Sequence, residues 1–584
     1  SDILKQARSA SLASASPAFP ASDASFNTCS TMISQYTYTP LLAMQSQPEP
    51  ETPLLKPHLA QNDEIPPPTR ADSDPTTSSS SDDLNLSHRR LPRGLSNDFR
   101  KKNPVNRKKE MQRNFRLIST ISFTSLEVLL TANSMSLTNG GTAGLFWSMI
   151  WCYIGQLFIV LSLAEMSSMV PLAGGPYQWV AEFASSKYRR LLSYCAGTLC
   201  SIGWQARFTA MCYMAARLIL ALCWLTHPDL ESKQWQQSLL TIAVAFAVSA
   251  FNAFAAGHLS LAEGFFAICH IYAFIPIVIS LWTMAPKKSA TEIFTQFTDN
   301  GGGWPSLATS VLVGQLPAMF IVTGSEAVVY IAEEVEEPES ILPRCILWSF
   351  LANMPATLIL LMTYLFNMGE LRLGIDVKYP IVSVFKSATD SDEATLGFTI
   401  LVLSMLLMTS VSSMVATSRH LFAFGRDQAL FYSPWISKVD PKLKVPLNAI
   451  YLTLLFTTVI SLVTISPSAA FSTIIGLATS ALMTSYFLAI GSLALKRLRG
   501  EQLPNASWSL GKAGLTINCL ALFYAAWALF WSFWPVHYHV NRGNFNYNCV
   551  LFLGWIAFAL VMFVLRQRRM QQRPMEIVPR WTPR

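Results

Sequence analysis

From Phe115 onward the chain is a succession of apolar stretches, each long enough to cross a hydrocarbon core, and this closes off most folds. A crossing takes about 20 helical residues. Twelve stretches qualify, near 115–138, 143–170, 190–225, 236–256, 259–284, 306–332, 344–366, 395–424, 446–466, 470–495, 511–534 and 546–566. Lipid offers the backbone no hydrogen bonds, so such stretches cross as helices. The expected fold class is therefore an all-α integral membrane protein with twelve transmembrane helices. Composition agrees, with 51% of the 584 residues hydrophobic and only 13% charged, against about 25% charged in soluble domains. The net charge of +8 does not signal nucleic acid, because the basic residues lie between the apolar runs. They concentrate before the first span and in alternate loops, which predicts both termini in the cytosol.

Three regions are expected. Residues 1–112 are rich in Ser, Pro, Asp and Thr and read as a disordered cytosolic tail, because such a segment buries too little apolar surface to offset its ordering entropy. Residues 113–570 form the twelve-helix body, and 571–584 a cytosolic tail. No basic stretch followed by a cleavable apolar run precedes the first span, which is expected to direct insertion itself. The ten cysteines include no CxxC and no Cys/His ligand spacing, so neither a disulfide scaffold nor a metal site is expected, and nothing points to a cofactor.

Ionisable side chains within a span cost roughly 2.5–3.5 kcal/mol each on insertion scales, so each calls for a partner, a wet cavity or a function. Glu127 lies in the first span, Glu165 in the second, Arg207 and Arg217 in the third, Glu263 and His270 in the fifth, and Glu326 in the sixth. The first span runs through Thr124, Ser125 and Leu126 to Glu127, a hydroxyl-rich half ending in an acid. Hydroxyls satisfy backbone groups freed by a local break, so a broken first helix is expected. The alternative is an unbroken helix in which Glu127 pairs structurally with Arg207. The sixth span carries Val322, Thr323, Gly324, Ser325 and Glu326, weak helix formers inside an apolar run, and predicts a second break. Two interrupted helices in corresponding positions point to a transporter binding site, since half-helix ends attract charged solutes.

Glu263 and His270, seven residues apart, fall on one helix face two turns apart and are candidates for proton coupling. The plainer reading of His270 is a buried neutral imidazole bonded to a backbone carbonyl. After the second span, Pro171 stops the helix, and Gly174 and Gly175 allow a tight turn that presents Tyr177 and Trp179 at the interface. This segment reads as a gate or hinge.

Together these residues resemble the amino acid–polyamine–organocation superfamily, and within it the fungal amino acid, GABA and choline permeases. The resemblance covers 110 to about 566. Its marks are Arg113 to Phe115, Glu127 to Leu130, Leu137 to Gly141, Ala164 to Pro171 with Gly174 to Trp179, and Ile202 to Gln205. Further marks are the Glu263/His270 pair, Gly324 with Glu326, Glu333 to Val335, Pro343 with Arg344, and Arg419 to Pro446. Arg207 and Pro176 depart from the family pattern.

The resemblance implies a LeuT-like fold of two inverted five-helix repeats, about 113–286 and 304–498, with two extra helices at about 510–566 and broken helices one and six. It implies a substrate site lined by Thr124, Ser125, Leu126 and Glu127 and by Val322, Thr323, Gly324, Ser325 and Glu326. The function implied is not enzymatic. It is proton-coupled import of an amino acid or related amine, such as GABA, by alternating access across the plasma membrane, with the vacuolar membrane as the other location. The solute's amino group would rest on Glu326 or freed carbonyls. One rival is a choline or polyamine carrier using an aromatic box from Trp147, Trp204, Phe320 or Tyr330. The more distant rival is a non-transporting nutrient sensor.

Overall fold

The computed structural model describes residues 126–227, 229, 233–369, 379–463 and 467–570. The tails expected at 1–112 and 571–584, together with Thr124 and Ser125, lie outside the described residues. In chain order the elements begin with α1 (Leu126–Ala132), α2 (Ser134–Thr138), β1 (Asn139–Gly140), α3 (Gly141–Met169), α4 (Pro176–Phe183) and α5 (Arg189–Thr226). There follow α6 (Gln234–Phe254), α7 (Leu259–Met284), α8 (Ala290–Thr295), β2 (Thr298–Asp299), α9 (Leu307–Gly314) and α10 (Leu316–Val322). After a 3-10 segment at Ser325–Glu334 come α11 (Pro338–Phe366), α12 (Pro380–Thr389), α13 (Asp392–Arg426) and α14 (Ser433–Ile436). The last four are α15 (Leu447–Val463), α16 (Pro467–Leu498), α17 (Gly514–Trp531) and α18 (Asn548–Met570).

Ten helical stretches among the described residues are long and apolar enough to cross a membrane, and they coincide with ten of the expected spans. The other two expectations correspond to α1 with α2 and to α15, and each continues into residues outside the described set. The only sheet among the described residues is a two-residue antiparallel ladder, Asn139 opposite Asp299 and Gly140 opposite Thr298. It ties the end of the first span to the loop before the sixth.

The helices divide by what surrounds them. In α7, Leu261, Phe265, Ile268, Tyr272, Ile275 and Ile279 are exposed at alternating spacings of four and three residues, an outward apolar stripe of the kind a lipid-facing helix needs. The opposite face buries His270, Ala273, Ile277 and Leu281. By contrast α5 is surrounded, packing against both α13 and α16, and its middle is buried on every side. Arg207 lies within that buried stretch, at 3% exposure. The helix that carries Arg207 is therefore central, and its guanidinium lies inside the protein rather than at its surface.

Lipid provides no hydrophobic drive between helices, so close contact depends on small residues at the crossing points. A Cβ at Gly155 of α3 would stand inside contact distance of the Tyr524 ring of α17. Replacing Gly155 with Val should therefore overpack this crossing, at about 1–3 kcal/mol. The expected result is a lower melting temperature of the detergent-purified protein, partly recovered when Tyr524→Leu is added. An unchanged melting temperature for Gly155→Val would show that the crossing is loose.

Candidate functional site

The sixth span is interrupted where its weak helix formers fall. Helix α10 ends at Val322, Thr323 is extended (φ −82°, ψ 160°), and Gly324 takes φ 108°, a left-handed conformation that glycine adopts without steric cost. The chain then continues as the 3-10 segment to Glu334. A break leaves carbonyls at the end of the first half without helical partners. The carbonyl of Phe320 is satisfied by two donors, Thr323 Oγ1 at 2.8 Å and Arg207 Nη1 at 3.0 Å. Arg207 Nη1 also donates to Thr323 Oγ1 at 2.9 Å. Helix α10 packs on α1, so the described part of the first span meets the sixth at this level.

The break opens onto a cavity with about 880 Å³ of space between atoms, part of it open to solvent. Val322, Thr323, Gly324 and Ser325 form one wall, with Arg207 and Glu263 also on the lining. Ser325 and Ser413 are on that lining too, and their hydroxyl oxygens are buried with no hydrogen-bond partner among the described residues. Glu263 accepts a hydrogen bond from Ser412 Oγ at 2.7 Å. Glu326, Leu126 and Glu127 are buried but not on the cavity lining. The carboxylate of Glu326 instead accepts a hydrogen bond from the Tyr486 hydroxyl of α16, and its second oxygen is buried without one. Thus four of the five residues expected on the sixth span border the cavity, while Glu326 joins the break to α16.

The acids are partnered differently from either sequence expectation. Glu127 does not pair with Arg207; its Oε1 accepts from Thr409 Oγ1 at 2.5 Å, and its Oε2 lies 3.6 Å from His270 Nε2. His270 thus has Glu127 of the first span as its closest acid, whereas Glu263 bonds to Ser412. Thr409 Oγ1 is also 3.3 Å from His270 Nε2. The other imidazole nitrogen, Nδ1, lies 2.7 Å from the Phe266 carbonyl. A carbonyl only accepts, so Nδ1 carries a hydrogen and Nε2 is the nitrogen that gains or loses a proton beside Glu127. The backbone carbonyl bond expected on the plainer reading and a charged partner are therefore both present. Thr409 lines the cavity, so this buried trio touches it through one residue.

At the far end of the 3-10 segment, two acids meet two basic residues of α13. Glu333 is gripped by the Arg426 guanidinium, with Nη1 at 2.7 Å from Oε2 and Nη2 on the other oxygen. Glu334 pairs with Arg419 at 3.1 Å. Beside them Asp427 accepts from Tyr177 Oη and Gln178 Nε2, each at 2.9 Å. Gly174 and Gly175 form the turn into α4, the Gly174 N–H donating to Gln178 Oε1 at 2.9 Å, and Gly175 lies close against Val329 and Tyr330. Tyr177 and Trp179 are buried here rather than presented at the interface, because the turn folds α4 against α5 and α16 and Trp179 donates to the Val170 carbonyl.

Sequence reasoning missed Thr409, Ser412, Arg419, Arg426, Glu333, Glu334 and Tyr486 as functional partners. One signal was available, the hydroxyl cluster Thr409, Ser410, Ser412 and Ser413 inside an apolar run.

Comparison with known proteins points one way. The family model for amino acid permeases matches residues 115–558. A Macrophomina phaseolina protein described as an amino acid/polyamine transporter is 28% identical over 437 residues, covering 73% of this chain and 94% of its own. A choline transporter from Saccharomyces cerevisiae is 24% identical over 448 residues, covering 75% and 78%. An Arabidopsis thaliana amino-acid permease is 24% identical over 485 residues, covering 79% and 93%.

The two-pronged contact between Arg426 and Glu333 is charge-assisted at both donors and joins α13 to the second half of the interrupted span. Arg426→Glu should lower transport at least tenfold with normal surface expression, and the swap with Glu333→Arg should restore part of it. Uptake equal to wild type in the single variant would remove this pair from the transport cycle.

Proposed function

As a member of the amino acid permease family the chain is a membrane transporter and not an enzyme, and we propose that it imports amino acids or related amines by alternating access, coupled to protons. The observation that supports this reading is the break at Thr323–Gly324 opening on a cavity with a guanidinium, Arg207, and a carboxylate, Glu263, on its lining. Binding energy for a small polar solute comes from few, well-placed polar groups in an otherwise apolar pocket. Here the solute's ammonium faces Glu263 and its other end rests against Val322 to Ser325. Glu326, bonded to Tyr486, holds the start of the 3-10 segment, where the helix N-terminus favours a negative charge. The first-span residues Thr124 and Ser125 are proposed to contribute to the site.

Proton coupling is assigned to His270 and Glu127, with Glu263 the group through which a bound amine is sensed. A proton on His270 Nε2 creates an ion pair with Glu127 at a site screened from water; its loss leaves Glu127 held by Thr409 alone. A buried pair of this sort changes strongly in energy with protonation, because little water compensates either partner. The Glu333–Arg426 and Glu334–Arg419 pairs act as a lock on the side where basic loops predict cytosol. The whole is proposed as a twelve-span, two-repeat LeuT-like carrier in the plasma membrane with both termini inside.

Competition uptake in permease-deficient cells tests the solute class. Labelled amino acid uptake by the expressed chain should be displaced by GABA, neutral or basic amino acids. Glu263→Gln should raise KM about tenfold or more at unchanged surface level, since one charge-assisted contact is lost. Absence of any amino acid or amine uptake by surface-localised protein would end the proposal. Wild-type uptake should rise as pH falls. His270→Asn should flatten that dependence, and a wild-type pH profile in this variant would remove His270 from coupling.

A further inference from the structure

We propose that Arg207 is the counter-charge for a carboxylate on the solute, so that this carrier takes carboxylate-bearing amines and rejects purely cationic ones such as choline and polyamines. The inference rests on the transport reading above and narrows its substrate class.

The guanidinium is a permanent charge, because Arg stays protonated in proteins. It is buried, in the middle of the surrounded helix α5, and borders the cavity. Yet its hydrogen bonds go only to neutral oxygens, the Phe320 carbonyl and Thr323 Oγ1. Among the described residues no carboxylate forms an ion pair with it. The two nearest buried acids are committed elsewhere, Glu326 to Tyr486 and Glu127 to Thr409 and His270. A buried cation without a direct counter-ion is a costly arrangement. A solute carboxylate in the adjoining cavity removes that deficit, with Ser325 on the same lining.

The same side chain fills the place a quaternary ammonium would need. Of the four aromatics that an onium box might use, Trp147 is half exposed and donates to the Phe294 carbonyl. Tyr330 accepts a hydrogen bond from Trp204 at 3.0 Å. The faces of Phe320 and Trp204 are already covered by Arg207, whose Cζ lies 4.9 Å and 6.0 Å from the two ring centroids. One freed carbonyl of the break, that of Phe320, is also taken by Arg207. A second cation at either seat meets like charge at short range.

The geometry fixes Arg207 closely. A Cβ at Gly324 would come within 2.8 Å of Nη2, so the glycine lets the guanidinium lie flat against the break. The planar fork suits two-point recognition of a carboxylate, which Lys does not reproduce.

The test uses the full chain in permease-deficient cells, with alanine and GABA as probes against alaninamide, n-butylamine, choline and spermidine. A site built around a polar group on its ligand rejects the analogue lacking it by large factors. The acids should therefore compete at least about 100-fold better than alaninamide or n-butylamine, and choline and spermidine should neither compete nor be taken up. In Arg207→Gln the KM for the acids should rise about 100-fold and the preference for free carboxylates should collapse, with the amides and amines gaining. Arg207→Lys should keep the preference for acids at reduced affinity. The wild-type comparison and Arg207→Lys decide the matter even where Arg207→Gln does not reach the membrane. Uptake of choline or spermidine by wild type, or alaninamide competing as well as alanine, overturns this inference and leaves the carrier reading standing. No uptake of any probe by surface-localised wild type removes the carrier reading, and this inference with it.

Discussion

One carbonyl organises the centre of this protein. Phe320 ends a half-helix in the interior of the bundle, where an unsatisfied backbone oxygen has no water to turn to and would cost several kcal/mol. Thr323 supplies one donor from within the span, and Arg207 supplies another from α5. The span is thereby free to leave helical geometry at Thr323 and Gly324 and restart as a 3-10 segment. Every other polar feature nearby is positioned by that interruption. Ser325 borders the cavity, Glu326 reaches Tyr486, and Glu333 and Glu334 arrive at α13. Without a second donor at Phe320, a continuous helix would be the cheaper solution for an apolar run of this length.

Charge is distributed in a pattern that separates two tasks. Near one end of the bundle, paired charges span elements directly: Glu333 to Arg426, Glu334 to Arg419, and Tyr177 with Gln178 to Asp427. These are direct contacts between charged and polar partners, well suited to holding one closed arrangement and to being exchanged as a set. Around the cavity the charges are under-saturated. Arg207 bonds to neutral oxygens, Glu263 to one serine, and two hydroxyls have no partner. Incomplete satisfaction in a buried place is unfavourable on its own. It becomes favourable when a polar solute arrives, which is the condition a binding site has to meet.

Ten of the spans were legible because the signal for a membrane helix is a long apolar run, and no tertiary contact is needed to produce it. The edges shifted by a few residues, since capping and loop packing, as at Pro338 before the seventh span, lie outside hydropathy. The interruption at Thr323–Gly324 was also readable, because three poor helix formers in succession weaken a helix at one point. What could not be read was partnership. Glu263 and His270 share a helix face, and periodicity made them look like a pair, yet the nearest acid to the imidazole comes from α1, far away in the chain. Likewise Glu326 stands in the right turn of the sixth span, but its side chain was drawn to a tyrosine on α16 that has no sequence mark of its own. The direction of a side chain at a break depends on which neighbour offers a donor, and that information is carried by the packing of helices remote in sequence.

Thr409 connects these two kinds of information. Its hydroxyl donates to Glu127 while lying within reach of His270 Nε2, and the same residue borders the cavity. A hydroxyl has a single proton to give. While Nε2 is bare, that nitrogen competes with Glu127 as an acceptor; once Nε2 holds a proton, His270 becomes a donor toward Glu127 and the competition ends. The change in charge is thereby converted into a change in where one hydroxyl on the cavity wall directs its hydrogen bond. On the proposed binding mode, a carboxylate at Arg207 and a proton at His270 act on one buried acid, Glu127, with opposite sign. The negative charge brought by the solute raises the affinity of that neighbourhood for a proton, and linkage makes the effect mutual. Coupling between solute and proton then needs no continuous wire of water or side chains, only that both charges share a poorly screened environment around Glu127.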